Sequence, residues 1–81
     1  MTFEQAFDPD EMSVCVAVTT AVAAATDTDP LELPPLSGSV DTDAIERLVH
    51  HDRDVTVRFP YFGRSVVVVG TGHVVVSGPP R

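Results

Sequence analysis

Three histidines and a set of aspartates are the side chains of this 81-residue sequence that could bind a metal ion. A site would need His73 together with His50 or His51, because neighbouring residues on a helix point about 100° apart and do not share an ion. Asp52 or Asp54 would have to supply a carboxylate ligand. Solvated histidines in turns are the simpler interpretation of this spacing. We therefore expect neither a metal ion nor another cofactor.

The acidic residues also occur in pairs that could perform acid–base chemistry. Asp52 and Asp54 share one polar turn, and Asp41 and Asp43 lie at the predicted start of a helix. Catalysis by such pairs requires a pocket that shifts the pKa of one carboxyl group, whereas helix capping explains these positions without a pocket. Cys15 stands in an apolar stretch, where a small core residue is commoner than a nucleophile. The sequence also lacks a phosphate-binding loop and a CxxC pair, so we predict that it is not an enzyme.

The charge of the chain favours a protein that works in concentrated salt. The net charge is −7, and all five basic residues are arginine. Salt screens the repulsion within such an acidic surface. The same charge makes nucleic acid an unlikely partner, because phosphate backbones are bound by clustered lysine and arginine. A small nucleic-acid-associated regulatory protein, using Arg58 and Arg64, is kept as the alternative function.

The sequence gives no indication of a membrane segment. No apolar stretch reaches the roughly 20 residues that span a bilayer. The N-terminal residues carry acidic groups rather than the positive charge of a secretory signal. A single cysteine also excludes an intramolecular disulfide. We expect a cytoplasmic protein without membrane contact.

The element that organises the first half of the chain is a predicted helix from Ser13 to Thr26. An alternating strand is the rival interpretation at its start, but the alanine-rich second half favours a helix. With no glycine at its end, Asp27 is predicted to take the left-handed conformation that closes the helix. Its apolar residues recur on one helical face, namely Val14, Ala17, Val18, Ala21, Val22 and Ala25.

A proline-rich joint follows this helix. Asp29 is predicted to cap a short helical turn with Pro30 at its first position, and Pro34 and Pro35 end that turn. The leucines of the joint are expected to anchor it to the core, namely Leu31, Leu33 and Leu36. Asp41 is predicted to cap a second helix, Thr42 to His50. Its core-facing residues are predicted to be Ile45, Leu48 and Val49.

The rest of the chain predicts an α+β fold in which two helices precede a three-stranded antiparallel β-meander. The predicted strands are Val55–Phe59, which Pro60 closes, Ser65–Val69 and His73–Ser77. Residues 13–77 form the predicted domain, residues 1–12 a disordered acidic tail and residues 78–81 a C-terminal tail. Both helices are expected to pack on one face of the sheet.

The strand Ser65–Val69 is apolar on both faces, which two short helices on one side do not explain. The second face is therefore a possible interaction face, which we assign to Val67, Val69, Val75 and Arg58. A helix that crosses to cover it, edge pairing between two copies and ordinary surface valines are the alternatives.

Two stretches of the sequence resemble a known family. Residues 13–36 read S-V-C-V-A-V-T-T-A-V-A-A-A-T-D-T-D-P-L-E-L-P-P-L and residues 40–48 read V-D-T-D-A-I-E-R-L, and valine-rich strands follow around a glycine turn. This pattern is similar to the first halobacterial output-domain family. Two positions are mild departures from the family pattern. Asp27 stands where a glycine is common, and Val49 stands where an aromatic residue often follows the second helix. The most specific matches are Ala21-Val22, Asp29-Pro30, Leu33, Pro35-Leu36, Asp41 and Asp43-Ala44.

The resemblance implies a role in haloarchaeal signal transduction. Members of the family occur alone or as the output end of chains with receiver or sensor domains, and no catalytic residues carry over from them. The implied function is a non-catalytic output or adaptor domain that acts through protein–protein contacts. Its partner would be a response-regulator or sensor component, or a second copy of the chain.

Overall fold

The structure, a computed structural model, describes residues 2–38 and 40–78. Residues 79–81, most of the predicted C-terminal tail, lie outside the described residues. The fold is α+β, with two α-helices, two short 3₁₀ turns and a four-stranded antiparallel sheet in these ranges. The elements are β1 (Phe3–Ala6), α1 (Val14–Thr26), 3₁₀ turns at Pro30–Glu32 and Leu36–Gly38, α2 (Thr42–His51), β2 (Thr56–Tyr61), β3 (Arg64–Val69) and β4 (His73–Val76).

The strand order in the sheet is β1-β4-β3-β2. Strands β2, β3 and β4 form the predicted meander, but β1 adds a fourth strand by pairing antiparallel with β4. The prediction of three strands is therefore corrected to four, and Phe3–Ala6, which was predicted to lie in a disordered tail, is an edge strand. Phe3 packs against the core, so β1 gains a hydrophobic anchor as well as its hydrogen bonds to β4.

Gly72 allows the chain before α1 to approach the β3–β4 turn. The backbone N–H of Phe7 donates to the Gly72 carbonyl oxygen at 2.9 Å. A Cβ atom at Gly72 would clash with the Phe7 carbonyl oxygen, and the φ angle of Gly72 is +118°. Only glycine fits this approach without strain.

Helix α1 confirms the predicted helix and its apolar face. The Ser13 hydroxyl accepts a hydrogen bond from the Val16 N–H and caps the N-terminus. Asp27 closes the helix in the predicted left-handed conformation, with φ 52° and ψ 46°. The predicted face supplies five fully buried core residues, namely Val14, Ala17, Val18, Ala21 and Val22.

The joint after α1 begins as predicted, because Asp29 accepts a hydrogen bond from the Leu31 N–H at 2.9 Å and Pro30 takes the first helical position. Leu36 is buried and Leu33 packs against the core. The prediction for Leu31 is wrong, since this side chain is 93% exposed. In a turn of three residues, positions two apart point in different directions, so Leu31 and Leu33 do not reach the same surface.

Helix α2 begins as predicted at Asp41, whose carboxylate accepts from the Ala44 N–H. Ile45 and Val49 are buried, but Leu48 is 46% exposed, so its prediction as a core residue is wrong. Leu48 lies about 100° from Val49 around the helix axis. The stripe of residues that this short helix buries is narrower than about 100°, so it includes Ile45 and Val49 but not Leu48.

Strand β2 continues through Pro60, where the sequence predicted its end. Pro60 pairs with Ser65, whose own N–H and carbonyl group bond toward the other side of β3. The missing N–H of Pro60 therefore faces the free edge of β2, where an edge strand tolerates proline. Phe62 and Gly63 form the two-residue hairpin turn, both with positive φ.

The core lies between the helices and one face of the sheet. Alternate residues of the strands point into it, and the apolar face of α1, with Ile45 and Val49 of α2, packs on them. The strand residues of this core are Phe59, Tyr61, Val66, Val68, Val74 and Val76.

Candidate functional site

The second face of the sheet carries the four residues that the sequence analysis assigned to an interaction face. Arg58 pairs with Val67 across β2 and β3, and Val67 pairs with Val75 across β3 and β4. Glu4 of β1 completes this row opposite Val75. Residues paired across antiparallel strands point to the same face. The side chains of this first row therefore form one line across the sheet, in the order Arg58, Val67, Val75 and Glu4.

A second row lies two residues away along the strands. Val69 of β3 pairs with Thr56 of β2 and with His73 of β4, and His73 pairs with Ala6 of β1. We call the surface made by these two rows the open face. Its eight residues are Glu4, Ala6, Thr56, Arg58, Val67, Val69, His73 and Val75.

No helix of residues 2–38 and 40–78 covers the open face. Both α-helices bury their apolar residues in the core on the other side of the sheet. Val66 and Val68 of β3 are fully buried in that core, whereas Val67 and Val69 lie outside it and are partly exposed. A helix crossing to the second face, one alternative from the sequence, is therefore not what the fold contains.

The open face has a positive edge, an apolar centre and a negative edge. Arg58 and Glu4 are both exposed and stand on the two outer strands, three strand spacings or about 14 Å apart. Val67 and Val75 lie between them, and Val69 extends the apolar centre into the second row.

The sequence analysis did not assign Glu4, Ala6, Thr56 or His73 to this face. Glu4 and Ala6 belong to β1, and without that strand they have no place on the sheet. The alternation of Phe3 and Gln5 with Glu4 and Ala6 was the available signal, but it extends over only four residues.

Cys15 has the character of a structural thiol. It is partly exposed and packs against the core. Burial raises the pKa of the Cys15 thiol, and the nearby Glu46 carboxylate raises it further. Since the thiolate is the reactive form of cysteine, this environment disfavours a nucleophile at neutral pH.

Glu46 has a structural role that the sequence did not reveal. Its carboxylate accepts a hydrogen bond at 2.8 Å from the N–H of Val14, the first residue of α1. A group on α2 thus satisfies one of the free N–H groups at the start of α1. The favourable position of a carboxylate at a helix N-terminus adds to this contact between the two helices.

The candidate acid–base and metal residues have local roles or remain apart. The Asp52 carboxylate accepts from the Asp54 N–H at 2.9 Å. His50 and His51 are exposed at the end of α2, while His73 lies on the open face. Within the described part of the chain, no three His, Cys, Asp or Glu side chains are grouped so that they could hold a metal ion.

The arginines of the described ranges lie on four different segments. Arg47 is on α2, Arg58 on β2 and Arg64 on β3, and Arg53, in the turn before β2, forms an exposed ion pair with Asp10 at 2.8 Å. The alternative of a nucleic-acid-associated regulator stays a prediction. No helix in these ranges combines the length and the apolar character needed to cross a bilayer.

A comparison with protein families identifies the domain. The family profile of halobacterial output domain 1 matches residues 10–78. The chain belongs to the halobacterial output domain 1 family. No curated protein and no solved structure gives a significant match to it.

The match confirms the resemblance seen in the sequence and covers most of the fold. Both helices and strands β2 to β4 of this halobacterial output domain lie inside the matched residues, whereas β1 precedes them. Six of the eight open-face residues therefore belong to the family domain. The remaining two, Glu4 and Ala6, lie on β1.

Proposed function

We propose that this halobacterial output domain is a non-catalytic signal-transduction output or adaptor domain, which binds another protein through the open face. Its place of action would be the cytoplasm of a haloarchaeal cell. Membership of the output-domain family supports the role. The observation that carries the choice of surface is the uncovered apolar centre formed by Val67, Val69 and Val75.

The energetics of such a contact suit a small domain. Fully burying a valine side chain contributes about 1.5–3 kcal/mol, and the three valines are already partly buried, so each would contribute less on binding. The open face would therefore give a specific but reversible contact. Arg58 and Glu4 would orient the partner, because charges at the rim of an apolar surface mainly determine specificity.

The partner we propose is a response-regulator or sensor component, or a second copy of the chain. The experiment uses the tagged full chain in a haloarchaeal extract at multimolar salt, with the proteins that co-purify identified by mass spectrometry. Val67→Asp should lose the specific partner. Binding would have to remove water from a carboxylate at the centre of the open face, which costs free energy. Its fold, followed by circular dichroism, should be unchanged.

Val16→Asp is the matched control for this experiment. Val16 is 50% exposed on α1, so the same substitution adds the same charge away from the sheet. It lies in the first turn of the helix, where an acidic side chain is favourable. This variant should keep the partner, and a partner retained equally by Val67→Asp and Val16→Asp would contradict the proposed function.

A further inference from the structure

We propose that the open face is occupied by a second copy of this chain, packed face to face about a two-fold axis that runs parallel to the strands. This inference rests on the proposed function, which assigns the open face as the contact surface. Its basis is the order of charged and apolar residues along the row Arg58, Val67, Val75 and Glu4.

The two-fold axis would lie between β3 and β4, in the plane where the two sheets meet. Rotation about it places β3 of one copy over β4 of the other, and β2 over β1, without a shift along the strands. Val67 then faces Val75 of the second copy, and Arg58 faces Glu4 of the second copy. Each contact occurs twice, as two-fold symmetry requires.

The charges select this axis over the obvious alternative. A two-fold axis across the strands would place β2 over β2 and β1 over β1, so that the Arg58 side chains of both copies share one edge and the Glu4 side chains of both copies share the other. The axis along the strands replaces these repulsions with two pairs of opposite charge. Both axes keep the strands of the two sheets nearly aligned, which is a common way for sheets to pack at a distance of about 10 Å, so the charges decide between them.

The second row is compatible with the same arrangement. Val69 faces His73 of the second copy, and Thr56 faces Ala6 of the second copy, so no two like charges face each other in this row. His73 in such a dimer would lie over Val69 of the second copy, with Val67 and Thr56 of that copy next to it. In its own sheet it stands between Val69 and Ala6, and His73 of the second copy lies diagonally across the axis.

The small size of the face implies a weak dimer. Four strands about 4.8 Å apart and about four residues along each give a projected area on the order of 250 Å². A standard interface buries about 800 Å² on each partner. We therefore expect reversible association that depends on protein concentration. Salts that strengthen apolar burial should favour the dimer through its valines. The same salts should weaken the attraction between Arg58 and Glu4 of the second copy by screening it.

The test is a charge exchange at the two edges of the face, measured by sedimentation equilibrium of the full chain. Arg58→Glu alone brings glutamates together at both edges, and Glu4→Arg alone brings arginines together. Each single variant should dimerise about tenfold more weakly at moderate salt, because two pairs change from attraction to repulsion. The double variant should recover dimerisation to within about twofold of the original chain.

Mixing the two single variants provides a second readout of the same geometry. In a heterodimer of Arg58→Glu with Glu4→Arg, both edges regain opposite charges. The equimolar mixture should therefore dimerise more strongly than either variant alone. Arg58→Glu should leave the unfolding midpoint in denaturant nearly unchanged, since Arg58 is exposed, and this separates association from folding.

Three results would overturn the inference. A chain that stays monomeric at every accessible concentration would exclude the second copy, while partner loss in Val67→Asp could still support the proposed function. A dimer that weakens with Val67→Asp but ignores the charge exchange would exclude the axis along the strands. A dimer that ignores both changes would place the contact elsewhere and would also count against the proposed use of the open face.

Discussion

The two faces of strand β3 carry the same residue type but have opposite surroundings. Val66 and Val68 are completely buried beneath the helices, whereas Val67 and Val69 remain partly exposed on the open face. Since all four are valines in one strand, neither β-propensity nor hydrophobicity distinguishes them. The difference comes from the helices, which cover one side of the sheet. Val66 and Val68 therefore contribute to folding, whereas Val67 and Val69 are available for association.

A matched pair of substitutions on β3 should show the largest difference between the faces. Val68→Asp places a carboxylate in the core, where an unpaired charge costs several kcal/mol, comparable to the whole stability of a small domain. This variant should lose cooperative unfolding, as measured by circular dichroism at multimolar salt. Val67→Asp should keep a cooperative transition. Loss of the fold in both variants would show that Val67 belongs to the core.

A substitution at Gly72 should have the next largest effect, because it would disturb both faces at once. A methyl group there would meet the Phe7 carbonyl oxygen at a strained backbone angle. Gly72→Ala should destabilise the fold by about 1–3 kcal/mol and release β1 from β4. Hydrogen exchange should then accelerate in β1 and β4 but not in β2.

Gly38→Ala is the control for this prediction, because nothing lies within 4 Å of a Cβ atom at Gly38. It should leave exchange in β1 unchanged. Gly72→Ala should also weaken association, because β1 holds Glu4 on the open face. Unchanged protection of β1 in Gly72→Ala would mean that the strand does not depend on this close approach.

A smaller effect is expected at Tyr61, which joins the covered face to the proline-rich joint. Its hydroxyl donates a hydrogen bond to the Pro34 carbonyl oxygen, and its side chain is 2% exposed. Tyr61→Phe should lower the free energy of unfolding by about 0.5–1.5 kcal/mol in a denaturant titration. It should not change association, because Tyr61 points away from the open face.

The pH dependence of stability provides a second check on Tyr61. Burial raises the pKa of the Tyr61 hydroxyl above its ordinary value of about 10. A group with a raised pKa in the folded state stabilises the fold below its unfolded pKa, and this stability is lost as the pH rises through the folded pKa. Tyr61→Phe should therefore show a shallower alkaline decline. Identical pH profiles in both proteins would contradict this role of Tyr61.

The local features of the fold could be predicted from the sequence. The helical spacing from Val14 to Ala25 gave the buried face of α1, and the caps at Asp29 and Asp41 followed from residue type. Asp27 took the left-handed conformation because no glycine was present to take it. The alternation within β3 predicted that Val67 and Val69 would share a face.

The features that were missed depend on contacts between distant parts of the chain. Strand β1 is short and has few strand-forming residues, and it is stabilised by pairing with β4 at the opposite end of the chain. Glu46 caps α1 only because the helices meet. Leu48 is apolar and close to the buried stripe of α2, so only the width of the helix contact decided its exposure. Such outcomes are set by tertiary packing rather than by local propensity.

The most direct test of the difference between the faces is the dependence of the valine methyl NMR signals on protein concentration. At multimolar salt, the methyl signals of Val67, Val69 and Val75 should shift together as the concentration rises. The signals of the core valines should stay constant over the same range, as should those of Val16 on α1. Signals that shift only outside the open face, or no shift at all even with a proven partner added, would contradict its role as a contact surface.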